Sequence, residues 1–172
     1  ALGIPVFSID TKKKEMIGNF KRFGKVSAKG GYPKSYDHDF KTFSDGIIVP
    51  HGIYDINSNT AYITLGTSHD TSDFVCDNIE GVWTEHLQWQ YPNIDTICIV
   101  CDGGGSNACS RHVVKQSFLR LSSCLEINII MLHYPPYCSK YNPIEHCVFG
   151  PISRSWSGAP QLTIEDARVR AE

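Results

Sequence analysis

Thr96-Ile97-Cys98-Ile99-Val100-Cys101, followed at once by Asp102-Gly103-Gly104-Gly105, is the stretch on which the fold of this chain turns. Its apolar run shows no alternation, which suits a strand buried on both faces at the centre of a parallel α/β sheet. The acid and the glycines mark the carboxyl end of that strand and a turn. Upstream, Pro5–Asp10 (PVFSID) has the same form: a short apolar run ending on an acid.

The remaining elements fall into place around these two strands. Gly52–Ile56 and Ala61–Leu65 flank Asn57-Ser58-Asn59 and read as a hairpin. Asp70 or Thr71 caps a helix that carries Val75, Ile79, Val82, Trp83 and His86 at helical spacing, and Tyr91-Pro92 ends it. A second helix spans Ser110–Ser123. Ile127–His133 reads as another buried strand, and a last helix opens with Pro143 in its first turn, where proline is tolerated. Thr163 and Asp166 form a capping box for a further helix from Ile164. Residues 11–46 read as a long basic connection, with a short strand at Tyr36–Phe40. Three strands, then helix, strand, helix, strand and helix make an α/β chain with a mixed sheet.

The 172 residues, 41% hydrophobic and 20% charged, exclude a disordered or fibrous chain and suit one domain over 1–172. The opening at Ala1 and the helix begun at Ile164 suggest a piece of a longer protein. Net charge is −2, but it is unevenly spread. Residues 1–45 carry nine Lys and Arg against five Asp and Glu, and residues 46–172 carry seven against thirteen. A basic stretch beside an acidic remainder suits a polyanion-binding face next to a site that needs carboxylates. Seven cysteines, mostly in apolar segments, fit a reduced intracellular protein. No apolar run approaches the roughly 18–20 residues of a membrane span.

Asp10 and Asp102 both stand at strand ends, and open α/β sheets build their sites outside the carboxyl ends of strands. A third acid, Glu145, lies in Asn142-Pro143-Ile144-Glu145-His146, in the first turn of the last helix. Taken singly, each has an ordinary explanation as a turn, cap or helix-dipole residue. Gathered together, three carboxylates repel unless cations hold them. Hard oxygen donors suit Mg²⁺ or Mn²⁺, and two such ions serve phosphoryl displacement.

At this point the sequence resembles a known family. Ser8-Ile9-Asp10-Thr11-Lys12-Lys13-Lys14-Glu15-Met16-Ile17-Gly18-Asn19-Phe20 is similar to the opening of the catalytic domain of ISAzo-type DDE transposases, enzymes of bacterial insertion sequences. The similarity continues through His38-Asp39-Phe40, Pro50-His51-Gly52-Ile53-Tyr54-Asp55, His69-Asp70-Thr71 and Asp102-Gly103-Gly104-Gly105-Ser106-Asn107. It runs on through His133-Tyr134-Pro135-Pro136 and Ser139-Lys140-Tyr141-Asn142-Pro143-Ile144-Glu145-His146. The resemblance implies a ribonuclease H-like, retroviral-integrase-type mixed sheet flanked by helices. Asp10, Asp102 and Glu145 would be its catalytic, metal-binding triad, with two Mg²⁺ or Mn²⁺ ions. It also implies DNA partners (transposon ends and target), a homo-oligomeric full-length enzyme and a bacterial, nucleoid-associated cytoplasmic location. The alternatives are a nuclease or resolvase of the same fold that never joins DNA, and an inactive DNA-binding relic.

The last of these draws on Gly150-Pro151, which interrupts the final helix; proline inside a helix costs roughly 3 kcal/mol and kinks it. Lys12, Lys13, Lys14, Lys21, Arg22, Lys25 and Lys29 are candidates for phosphate contact, with Lys140 before Glu145 as another. Asn107, Asn142 and His146 are candidate supports for the site. Cys98-Ile99-Val100-Cys101 has CxxC spacing but lies in a buried strand, so core packing is its expected role.

Overall fold

The computed structural model describes residues 3–27, 34–67, 71–104, 107–108, 110–135 and 138–172. Lys29, Asp70 and Ser106, named above, lie outside them. β1 (Val6–Thr11) is flanked by β3 (Gly46–Asp55), antiparallel, and by β5 (Thr96–Cys101), parallel. β6 (Asn128–His133) adds in parallel beyond β5, and β4 (Thr60–Gly66) closes the hairpin on β3. β2 (Glu15–Ile17) pairs with the first residues of β3, continuing the line of β1.

Continuous apolar strands need cover on both sides. On one face, Phe7, Ile9, Ile53, Ile97 and Ile99 pack against α1 (Ser72–Val82) and α3 (His112–Leu125) through Val75, Ile79, Val114, Phe118 and Leu121. Thr71 caps α1, its hydroxyl accepting from the Phe74 N–H at 3.2 Å. The helix runs on through a π turn at Trp83–Leu87 into α2 (Gln88–Gln90). On the other face, Ile17, Ile48 and Tyr54 meet Ile144, Val148, Phe149, Ile152 and Trp156. α5 (Ile164–Ala171) closes the chain behind the expected Thr163–Asp166 capping box. Among the described residues no helix is long and apolar enough to cross a membrane.

Four sequence expectations change. β6 is an edge strand whose Ile130 and Leu132 are 43% and 52% exposed, because the C-terminal helices cover only the other half of that face. Tyr36–Phe40 is no strand: Tyr36 makes a single bridge with Phe20 and then stacks on Phe43 at 5.1 Å. β2, only three residues long, is too short for periodicity to reveal. The proline in the last helix, finally, is accommodated rather than disruptive. The Gly150 N–H reaches back five residues to the Glu145 carbonyl, widening Glu145–Phe149 into a π turn. That added residue restarts the helix as α4 (Gly150–Ser155) with Pro151 in its first turn, where no backbone N–H is needed. Cys98 and Cys101 are buried in β5, as expected of core residues.

His51, on β3, is 1% exposed, and among the described residues neither ring nitrogen has a hydrogen-bond partner. Burial lowers its pKa from 6.5 to about 4. Below pH 6.5 the unfolded chain takes up a proton that the folded chain refuses, so stability falls as pH drops from 6.5 towards 4. The loss between pH 7 and pH 5 is about 2 kcal/mol. Urea unfolding of His51→Leu at those two pH values is expected to lack this part of the difference; an unchanged difference refutes the assignment.

Candidate active site

Parallel pairing of β1 with β5 ends at Ser8 opposite Val100. Two residues further along each chain segment stand Asp10, within β1, and Asp102, just past the end of β5, so the register delivers both acids to one edge of the sheet. The third comes from the C-terminal segment. Ile144, fully buried, seats its side chain against the backbone of Gly52, the residue paired with Asp10, and Glu145 follows directly.

Asp10 and Glu145 stand close enough for the Glu145 carboxyl to act directly on that of Asp10. Burial is the main force that raises the Asp10 pKa from 3.8 to about 7. The Thr11 N–H, 2.7 Å from Oδ1, opposes the rise, while the charges of Asp102 and Glu145 add to it. Both charges acting on Asp10 are therefore negative. Asp102 turns towards its own loop, where the Gly104 N–H donates to Oδ1 at 3.3 Å. Among the described residues no three His, Cys, Asp or Glu side chains close into a metal-holding group. Glu145 thus acts on Asp10 at close range, and Asp102 acts on it through its charge. Half-buried carboxyl groups, as hard-oxygen donors, fit a divalent cation such as Mg²⁺ or Mn²⁺.

The other candidates divide. Asn142, fully buried, reaches Asp10 Oδ2 with its amide nitrogen at 3.5 Å. Asn107 is 4% exposed, its Oδ1 has no partner among the described residues, and its carbonyl accepts from His133 Nε2 at 2.8 Å. His146 donates through Nε2 to the Lys140 carbonyl. Lys12 is bound to Glu15 at 2.9 Å and lies over the Trp156 ring. Arg22 donates to Asp39 and to the Met16 carbonyl, both at 2.8 Å. Lys13, Lys14, Lys21 and Lys140 are exposed. Sequence reasoning missed Ser8, which ties β1 to Asn142; its one signal was a hydroxyl inside an apolar run.

A mixed sheet of this order, with an antiparallel hairpin beside β1, parallel strands beyond it and acids at the ends of β1 and β5, defines a ribonuclease H-like domain. The chain belongs to the Rhodopirellula transposase DDE domain family, whose sequence model it matches over residues 1–169. A comparison with curated protein sequences finds no match. Among solved structures it is similar to the mariner Mos1 paired end complex with Mg, at 14% identity and a TM-score of 0.66, over 96% of this chain and 46% of that one. The Mos1 transposase paired-end complex with left transposon end gives 14% identity and 0.64, over 95% and 45%. The Mos1 paired end complex with Mn gives 12% and 0.62, over 95% and 46%. At such identities the likeness concerns the fold. The chain spans a little under half the length of the Mos1 chains it matches.

Proposed function

We propose that this chain is the catalytic core of a transposase that cleaves DNA at transposon ends and joins the released 3′-hydroxyl to target DNA. The observation that carries the reading is the meeting of Asp10 and Glu145, within the field of Asp102, at the carboxyl edge of the sheet in a member of a transposase DDE family. Asp10, Asp102 and Glu145 would hold Mg²⁺ or Mn²⁺, two ions in all. Such ions lower the pKa of a nucleophilic water or hydroxyl and offset charge at the reacting phosphorus.

The chain's own residues do the rest. Asp10, brought beside Glu145, gives up its proton to become a ligand, so cation affinity rises with pH through about 7. Lys13, Lys14, Lys21 and Lys140 present ammonium groups to backbone phosphates, and Lys12 and Arg22 brace the segment that carries three of them. In the first reaction water breaks a phosphodiester, leaving a 3′-hydroxyl and a 5′-phosphate. In the second, that 3′-hydroxyl attacks a target phosphodiester and a target 3′-hydroxyl departs. The paired ends named in the Mos1 complexes support a homo-oligomer acting on two ends; its proposed location is the bacterial cytoplasm, beside the nucleoid.

The test is a plasmid assay in Mn²⁺ with labelled, pre-cleaved oligonucleotide ends. Nicking together with label joined to plasmid is expected. Nicking without joining would make the chain a nuclease of the same fold, and DNA binding with neither would make it a relic.

A further inference from the structure

Ser8 and Asn142 are 134 positions apart and both 0% exposed. Ser8 Oγ donates to Asn142 Oδ1 and accepts the Ile144 N–H at 3.2 Å. Asn142 Nδ2 donates to the Ile9 carbonyl at 3.2 Å and reaches Asp10 Oδ2 at 3.5 Å, while the Asn142 carbonyl accepts the Glu145 N–H at 3.1 Å. A buried serine and asparagine are costly unless their polar groups are satisfied. Here the bonds of both converge on the two ends of one pair, Asp10 and Glu145.

We propose that Ser8 and Asn142 are positioning residues, a clasp that sets the spacing and orientation of Asp10 relative to Glu145 and thereby the affinity of the acids for a divalent cation. The proposal rests on the reading of those acids as a cation site. Pro143 has no N–H, so Ile144 and Glu145 supply the first two backbone donors of the turn. Ser8 takes one from the neighbouring strand, acting as a helix cap contributed by a distant part of the chain. Asn142 takes the other and turns its neutral amide to Asp10. A lysine or arginine there would compensate Asp10 and compete with a metal; an amide orients the carboxylate without adding charge. Apolar side chains would fill the same interface but leave Asp10 and Glu145 to separate under their own repulsion.

The experiment is Mn²⁺ binding, read from the loss of the free-ion signal by electron paramagnetic resonance. It compares the unaltered chain with Ser8→Ala, Asn142→Ala and the double variant. Ser117→Ala is the control for stability alone: Ser117 is buried on the α1–α3 side, bonded to Ser72 at 3.1 Å and to Asp73 at 2.8 Å. Each clasp variant is expected to bind Mn²⁺ at least tenfold more weakly, with the double variant no worse than the weaker single one, since one clasp is broken in all three. Ser117→Ala should stay within twofold of the parent even with a comparable fall in melting temperature. Clasp variants that melt lower yet bind Mn²⁺ within twofold of the parent overturn the proposal alone. A parent that binds no Mn²⁺ overturns the cation site, and the clasp's role with it.

Discussion

Asp10→Asn is expected to abolish metal-dependent nicking and, in the same molecule, to make the metal-free fold more stable at neutral pH and above. The loss of activity follows from removing a charged oxygen donor from the acid group and should be on the order of a thousandfold. The gain in stability follows from the elevated pKa of about 7 against 3.8 for an unperturbed carboxyl. Because the folded state holds the proton more tightly, stability declines as pH rises from about 4 to about 7. Above that the full cost, about 4 kcal/mol at most, is in place. Asparagine has no such proton to lose. Unfolding in EDTA should therefore show the variant gaining on the parent from pH 4 upward, with the gap constant beyond pH 8. His51 acts in an overlapping window with the opposite sign, since its stability is lost as pH falls. The parent's own profile is accordingly flatter than that of either variant. An Asp10→Asn protein that still nicks at a tenth of the parent's rate, or whose stability tracks the parent's at every pH, would contradict the assignment.

Gly52→Ala should damage fold and activity together. A Cβ at Gly52 would fall 2.6 Å from Ile144 Cδ1 and 3.0 Å from a ring carbon of Phe149. Both side chains are buried, so neither can swing aside into solvent. Ile144 and Phe149 must repack, and the turn carrying Glu145 is expected to shift with them. Overpacking of this kind costs about 1–3 kcal/mol. Since Gly52 is the β3 partner of Asp10, the displacement acts where Asp10 and Glu145 meet. Nicking is expected to fall at least tenfold at a temperature where the variant remains folded by circular dichroism. A folded variant with unchanged nicking would show that Glu145 tolerates the shift and has no close role.

Much of this was readable from the chain. The two strands ending in Asp10 and Asp102 were legible because a continuous apolar run followed by an acid and a turn has few other interpretations. Glu145 was legible from Asn-Pro before it and from the family resemblance. The β6 edge was not, because Ile127–His133 is equally apolar whether one face or two are covered; only the placement of the C-terminal helices leaves Ile130 and Leu132 in solvent. Gly150-Pro151 misled for a related reason. Proline excludes an uninterrupted α-helix, but the sequence does not say that one extra residue in the preceding turn will absorb the conflict.

By itself, then, the sequence determined the order of the main elements and singled out the three acids and the basic segment, since these depend on residue type and local periodicity. Tertiary structure alone decided that Lys12 and Arg22 brace that segment, that His51 is buried with no hydrogen-bond partner among the described residues, and that Ser8 meets Asn142 across 134 positions. Each of these depends on strand register and helix docking, which bring distant backbone together and which no local pattern encodes.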